Sequence, residues 1–302
     1  MMRRVLTHYA IFVALVVECV VLSVSNDAFL TASNLTNVLR QNTFTAVLAA
    51  GMSFVILTGG IDLSVGSVVA LSGVICADVL VHGWGLSVAV GVGIAAGLVV
   101  GVVNGLAVTR LRVPPFVVTL AMMLVVRGAA YKYTDARTIS GLPDAFVRLS
   151  GGAVTAMVMA SVFALAWLVL MRTAFGRHVY ATGGNPDAAW LAGVRVDRIQ
   201  LAVYTVCGAC AGIAGVLVAA RLNAGYPKAG EFYELDAIAA VVVGGTSLFG
   251  GRGSIWGTLA GALFIGVLNN GLNLFGVSPY DQMVVKGTVL LVAASMDRWR
   301  TT

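Results

Sequence analysis

LSVAVGVGIAAGLVVGVVNGLAVT, residues 86–109, runs for 24 positions without a charged side chain. At about 1.5 Å of rise per residue a helix of this run reaches roughly 36 Å, enough to cross a hydrocarbon layer of about 30 Å. Apolar runs of similar character lie near 9–25, 42–58, 63–81, 115–131, 153–171, 199–220, 235–249, 255–275 and 283–296, which makes ten candidates. The whole chain agrees with them. Of 302 residues, 59% are hydrophobic and 11% charged, and the mean hydropathy is +0.94. A soluble chain of this size needs far more charge to cover its outside. The composition excludes a soluble enzyme, a disordered tail and a secreted disulfide scaffold. It predicts an all-α integral membrane protein of about ten transmembrane helices. Glycine is abundant, 36 residues against 6 prolines, so helices can approach closely where no hydrophobic effect draws them together.

The net charge of +6 does not point to nucleic acid, because the basic residues are scattered between apolar runs and form no stripe. Counted by loop, they report orientation. With the amino terminus inside and ten alternating spans, the inside segments hold Arg3, Arg4, Arg110, Arg112, Arg172, Arg177, Arg195, Arg198, Arg252, Arg298 and Arg300, eleven of the nineteen basic residues. This bias places both termini inside. The segment MMRRVLTHYAIFVALVVECVVLSVSN also has the shape of a signal peptide. Glu18 interrupts its apolar middle, however, and removing the span breaks the charge count. We read it as a retained span with Glu18 facing the bundle.

Two runs depart from a simple crossing. The eighth, Leu235 to Phe249, is short and ends in VVVGGTSLFGG, which predicts a broken or re-entrant helix; the tenth contains Lys286. Such backbone is tolerated at membrane depth only under protein or beside a wet cavity. A weak internal repeat links GGIDLSVGSVVAL from Gly59 with GGRGSIWGTLAGAL from Gly250. It predicts two weakly related halves, an arrangement common among transporters, with chance similarity of glycine-rich spans as the competing account.

No catalytic set emerges. His8, His82 and His178 lie apart without HExxH spacing, and no Gly-x-Ser-x-Gly elbow is present. Cys19, Cys76, Cys207 and Cys210 lie in apolar runs with no second pair or nearby histidine to complete a metal set, and we read them as small packing residues. There is no GxxxxGK[ST] loop, since the chain has no Gly-Lys dipeptide. Any ATP used with this chain must be held elsewhere.

The longest inside loop, about 172–198, lies within MRTAFGRHVYATGGNPDAAWLAGVRVDRI. Within it Gly184, Asn185, Pro186 and Asp187 spell a helix start: an Asn cap, proline at the first helical position, and a carboxylate near the positive end. Ala188 to Ala192 continue a short apolar helix and Gly193 stops it. So short a helix must dock on something. Lipid headgroups are one seat. A cleft in a partner is the other, with Arg177, Arg195 and Arg198 as rim charges.

DAAWLAG, Asp187 to Gly193, is similar to the EAA-x-x-x-G loop of ABC importer permeases, with Asp in place of Glu. LTGGIDLSVGS (57–67), YELDAIAAVVVGGTSLFGG (233–251), GTLAGALFIGVLNNGLNLFGV (257–277) and YDQMVVKG (280–287) resemble the ribose/xylose/arabinose-type branch of that family. The resemblance spans nearly the whole chain. It implies one transmembrane permease domain over 1–302, multi-pass in a bacterial inner (plasma) membrane and embedded in its lipid. It also implies a second permease chain or a copy of this one, a cytoplasmic ABC ATPase carrying the ATP and Mg, and a periplasmic sugar-binding protein. The outside segment Tyr133 to Gly152 departs from the pattern, being short and poor in apolar residues.

On this resemblance Gly184, Asn185, Asp187, Ala188, Ala189 and Gly193, with Arg177 and Arg195, form the ATPase-coupling element. No residue is assigned to catalysis or to a metal. A neutral sugar presents hydroxyls, so Asn104, Asn269, Asn270 and Asn273 are candidates for the substrate path; hydrogen bonding between helices is the competing role for each. Lys132, Arg137, Arg148 and Lys228 are candidates to meet a binding protein, or are solvated loop charges. Asp62 and Asp236 read as helix caps. The rival reading is an ion-coupled secondary sugar transporter. That class commits carboxylates in mid-span to the ion, and Glu18 alone is clearly placed there.

Overall fold

Pro115, Pro186 and Pro279 each open a helix, where a missing N–H is no loss. Thr31 and Thr173 cap two others through a side-chain oxygen, and Asn185 caps the helix that Pro186 opens. In the computed structural model these signals divide the chain into α1 (Met2–Ser25), α2 (Ala32–Leu57), α3 (Val65–Val81), α4 (Leu86–Arg110), α5 (Pro115–Thr134), α6 (Asp144–Val147), α7 (Gly152–Arg172), α8 (Ala174–Gly184), α9 (Pro186–Leu191), α10 (Val196–Leu222), α11 (Tyr233–Val243), α12 (Ile255–Leu274) and α13 (Pro279–Thr301). Strand β1 (Ile139–Ser140) pairs antiparallel with β2 (Ala224–Gly225). The structure describes the backbone of residues 2–301 and the side chains of residues 11–295. The side chains of Arg3, Arg4, Arg298 and Arg300, on which the orientation count draws in part, lie outside the described residues, as does that of His8.

Among the described residues, α4, α5, α7, α10 and α12 are long and apolar enough to cross a membrane. The part of α1 from Ile11 to Ser25 and the whole of α3 are apolar but shorter. The chain is thus a multi-pass, all-α membrane protein.

Its centre is the crossing of α4 and α10. Gly93, Gly97, Gly101 and Gly105 recur at every fourth position and form one stripe along α4. A Cβ at Gly97 would fall on the Gly208 carbonyl and the Gly212 backbone, and one at Gly101 on the Tyr204 carbonyl, Thr205 and Gly208. The two backbones touch, and dispersion between them replaces the hydrophobic drive that lipid removes. α2 and α3 pack on α10, and α2 also carries α7, α11 and α12. Val47, Leu48, Met52 and Ile56 of α2 are wholly buried here.

The bundle has two ends, one bearing α8–α9 and the other the β1–β2 ribbon. Two helices start between them. Segment 223–232 descends from the ribbon along α3, Gly225 against Ala77 and Val74, then Gly230 against Val69 and Gly66. The Glu234 carboxylate and the Gly230 carbonyl occupy the place a Cβ on Gly66 would need. The first turns of α3 and α11 therefore meet inside the protein. α11 has 11 residues, about 16 Å of helix and roughly half a hydrocarbon layer. The eighth apolar run is helical only as far as Val243, and Gly244 to Ser254 follow as irregular backbone with positive φ at Gly245, Gly250 and Gly251.

Segment 133–152 is better packed than its sequence promised. Leu142 and Phe146 are buried against Cys76, Ala77, Leu80 and Val216, and close the ribbon end. Glu18 lies half-buried on α1, which packs along α12. The four cysteines are free thiols, and Cys207 and Cys210 press against Gly51.

Gly101→Val should destabilise the α4–α10 crossing by about 1–3 kcal/mol, since the added carbons meet backbone that cannot swing away. Gly128, where an added Cβ would meet nothing within 4 Å, is the control. A thermal melt of detergent-solubilised protein should fall for the first variant and hold for Gly128→Val; equal melts would refute the close crossing.

Candidate functional site

The sequence signals at 184–193 give the geometry they spell. Asn185 Oδ1 accepts from the Ala188 N–H at 2.9 Å, and Pro186 takes the first helical position of α9. At the other end Gly193 sits at φ +87°. Its N–H donates to the Trp190 carbonyl at 2.9 Å and that of Val194 to Ala189 at 3.0 Å, the paired bonds that close a helix with a left-handed glycine. Ala189 is buried, whereas Trp190 and Leu191 are 67% and 78% exposed. Asp187, Ala188, Arg177 and Arg195 are exposed as well.

What holds α9 in place was not legible: a second helix, α8, precedes it. Thr173 caps α8 by accepting from the Gly176 N–H at 3.2 Å. At its far end a Cβ on Gly183 would strike the Leu57 carbonyl and the Gly251 nitrogen. Gly251 N–H itself donates to Leu57 at 2.9 Å, and Gly250 lies against Gly59 and Gly183. The two Gly-Gly turns of the sequence repeat thus touch each other, and α8 rests on both. Tyr180 adds a hydrogen bond from its hydroxyl to the Gly253 carbonyl at 3.1 Å. Beside α9, Arg110, Arg112, Arg195 and Arg198 line a cavity of about 530 Å³ with Trp190 and Asp197.

Inward of the Gly59–Gly60 turn lies a buried polar knot. Asp62 is 1% exposed. Its Oδ1 accepts from the Ser64 N–H at 2.9 Å and the Ser64 hydroxyl at 2.6 Å. Asn104 of α4 donates to Ser64 Oγ at 2.9 Å and to Asp62 Oδ2 at 3.4 Å, and the Cys207 thiol of α10 also hydrogen-bonds Asp62. Asp62 therefore ties the residue that opens α3 to α4 and α10, a wider task than the cap expected of it. Asn104, a candidate for the substrate path, has its amide nitrogen committed to this knot.

The other asparagines separate. Asn270 and Asn34 exchange hydrogen bonds of 2.8 and 3.0 Å between α12 and α2. Asn269 and Asn273 face a polar chamber of about 100 Å³, which they line with Gln41, Asn42 and Thr45 of α2, Tyr233 and Asp236 of α11, Gly266, and Gln282 and Lys286 of α13. Lys286 Nζ meets Asp236 Oδ2 at 3.0 Å, so Asp236 is an ion-pair partner and not the cap it resembled. A lysine in the tenth apolar run was the available signal, because such a charge needs a counter-charge. The α2 residues gave none. A larger cavity of about 520 Å³ adjoins, also lined by Tyr233, Asp236, Gln282 and Lys286.

Lys132, Arg137, Arg148 and Lys228 are all exposed at the ribbon end. Lys228 pairs with Glu231 at 3.6 Å. Beneath them Arg127 of α5 donates from Nη1 to the carbonyls of Pro227 and Ala229 at 2.9 and 2.7 Å, fixing the descending segment.

The chain is a multi-pass helical bundle with a self-capped helix displayed at one end and a polar chamber in its interior, and its relatives are membrane permeases. The family described as "branched-chain amino acid transport system / permease component" matches residues 34–294, and the chain belongs to it, in its branch of sugar ABC importer permeases. Over 294 residues the chain is 47% identical to the ribose import permease protein of Bacillus subtilis (strain 168), covering 95% of this chain and 91% of that one. It is 45% identical to the ribose import permease protein of Escherichia coli (strain K12), covering 94% and 92%. It is 37% identical to the D-allose transport system permease protein of the same strain, covering 95% and 90%. No solved structure matches.

Asp62→Ala should leave the Ser64 N–H and hydroxyl without their acceptor in the interior, and Asn104 with Ser64 alone, at about 1–3 kcal/mol. The thermal midpoint of the purified protein is expected to drop while membrane insertion is retained. A midpoint equal to wild type would show that the knot holds nothing together.

Proposed function

We propose that this chain is the membrane-spanning permease of an ATP-driven importer for a monosaccharide. In this reading α9 is the element that a cytoplasmic ABC ATPase grips, and a periplasmic binding protein delivers sugar at the ribbon end. The bundle pairs with a second permease chain, alike or unlike. The exposed Trp190–Leu191 pair on α9, which follows directly on the α8 that Gly183 seats, carries the proposal. A short apolar helix turned outward is costly in water, and a cleft that buries an aromatic anchor is the arrangement that makes it useful. The arginine-lined cavity beside it suits an acidic rim on the partner. ATP and Mg belong to that partner. The relatives' names, and a family described as a component of a transport system, favour this reading over an ion-coupled carrier.

Ten crossings, with both termini on the α8–α9 side and that side cytoplasmic, is the topology we assign. The alternation of helix ends supports it: Asn26 after α1 bonds the Leu274 carbonyl at the end of α12, and the cationic cluster at α9 obeys the positive-inside bias. The contact of the two Gly-Gly turns supports two related halves meeting under α8. Motion of α8 would then reach both halves at once through backbone that leaves no side-chain slack. The sugar path we place along α11 and α12, past Asn269 and Asn273. At the ribbon end Lys132, Arg137, Arg148 and Lys228 would meet the binding protein.

Replacing Trp190 and Leu191 together by alanine should reduce co-purification of the ATPase by about tenfold or more, and ATP-dependent sugar uptake into vesicles with it, while the permease still inserts. Uptake by the permease alone on an ion gradient would sink the proposal, as would unchanged co-purification by the double variant.

A further inference from the structure

The chamber between α2, α11, α12 and α13 contains a side chain whose presence packing does not explain. Asn42 is 2% exposed, and neither its Nδ2 nor its Oδ1 has a hydrogen-bond partner among the described residues. A buried amide left in this way is costly, and leucine of similar volume at the same place would cost less. The fold nevertheless makes room for it. Opposite stands Gly266, where a Cβ would coincide with the Asn42 carboxamide, within 2.6 Å of both Nδ2 and Oδ1. A glycine kept small and an amide kept unpaired point to a group held ready for a ligand.

The remaining walls state the chemistry of that ligand. Asn269 Oδ1 is also buried without a partner among the described residues, and Asn269 lines the chamber together with Asp236. The charged members of the chamber, Asp236 and Lys286, neutralise each other at 3.0 Å. An ionic ligand would have to break that pair. A neutral ligand rich in hydroxyls would instead find donors and acceptors on three helices, with Tyr233 as a flat wall. The chamber and its neighbour, about 100 and 520 Å³, together fall within the roughly 300–1,000 Å³ of small-molecule sites.

We propose that Asn42, poised by Gly266, is a sugar-contacting residue of the permease, and that with Asn269 and the neutralised Asp236–Lys286 pair it forms a binding subsite for a neutral monosaccharide within the membrane. This rests on the importer reading above and adds that the permease itself selects its cargo, beyond any choice made by a binding protein.

The test uses the complete importer, with its ATPase and binding protein, in proteoliposomes. D-ribose, D-allose, D-fructose and D-xylose are the probes. Asn42→Leu should lower ATP-dependent uptake about tenfold or more, because hydroxyls that lose a buried partner are strongly penalised. Its thermal midpoint should stay at or above that of wild type, which a structural asparagine would not allow. Gly266→Ala, which removes no polar group but displaces the carboxamide, should lower uptake in the same way, and Asn42→Ser should restore part of it. Wild-type uptake by Asn42→Leu, where the wild-type complex accumulates at least one probe, overturns the subsite and leaves the importer reading standing. A fall in both uptake and midpoint makes Asn42 a structural residue and also overturns it. Failure of the wild-type complex to accumulate any of the four probes with ATP overturns the reading and the subsite together.

Discussion

Backbone contact between helices is the constraint from which the rest of this structure follows. Lipid offers apolar side chains nothing that a neighbouring helix improves on, so association depends on how closely two backbones can come. Gly97 and Gly101 of the α4 stripe, against Gly208 and Gly212 of α10, set that distance. The same device recurs wherever the fold does something less regular. Gly261 lets α12 approach the Ala240 carbonyl of α11, Gly244 and Gly257 meet carbonyl to glycine, and Gly183 seats α8 on Leu57. Glycine here serves contact far more often than conformational freedom.

That close packing is what permits irregular backbone at depth. Unpaired amides exposed to hydrocarbon would each cost several kcal/mol. The turn after α2 satisfies its polar groups internally: Gly60 N–H returns to the Val55 carbonyl at 3.1 Å, and Ser64 is held by Asp62. The descending segment 223–232 is satisfied by β1 at its start and by the Arg127 guanidinium at Pro227 and Ala229. The turn after α11 is closed by Ser247 N–H to the Arg252 carbonyl at 2.9 Å and by Gly251 to Leu57. Each break is thus covered by another element. Two helix starts can consequently lie inside the bundle beside a polar chamber.

The sequence revealed what local chemistry determines. The Asn185 cap, Pro186 and the Gly193 stop fix α9 whatever surrounds it, and the apolar runs locate the long helices. It did not reveal α8, whose 11 residues are too few to hold a helix unaided and which stands because Gly183 docks on two turns distant in the chain. Nor did it show the depth at which α3 and α11 begin, since depth is a relation to other helices. The asparagines are the sharpest case. An isolated amide in an apolar run looks the same whether it knits helices, as Asn104 and Asn270 do, or borders a cavity, as Asn269 and Asn273 do. Asn42 carries no signal of its own in the sequence, because it stands where α2 turns from polar to apolar and reads as the end of an apolar run.

A charge pair inside a membrane protein demands a reason, because burying both partners recovers little beyond what their separation would lose. Asp236 stands in the first half of α11, and Lys286 on α13 is otherwise flanked by apolar residues such as Val285 and Met283. Their bond fastens the short helix to the last one at the depth where α11 begins, and it does so beside the unpaired Asn42 carboxamide and Asn269 oxygen. Two hydrophobic residues would pack there at least as well. What the pair provides instead is a wall that is polar without being charged, able to turn toward hydroxyls and unable to welcome an ion without breaking itself. The constraint that began with glycine ends here: close helices enclose the polar groups, and the pairing among those groups decides what kind of molecule the enclosure suits.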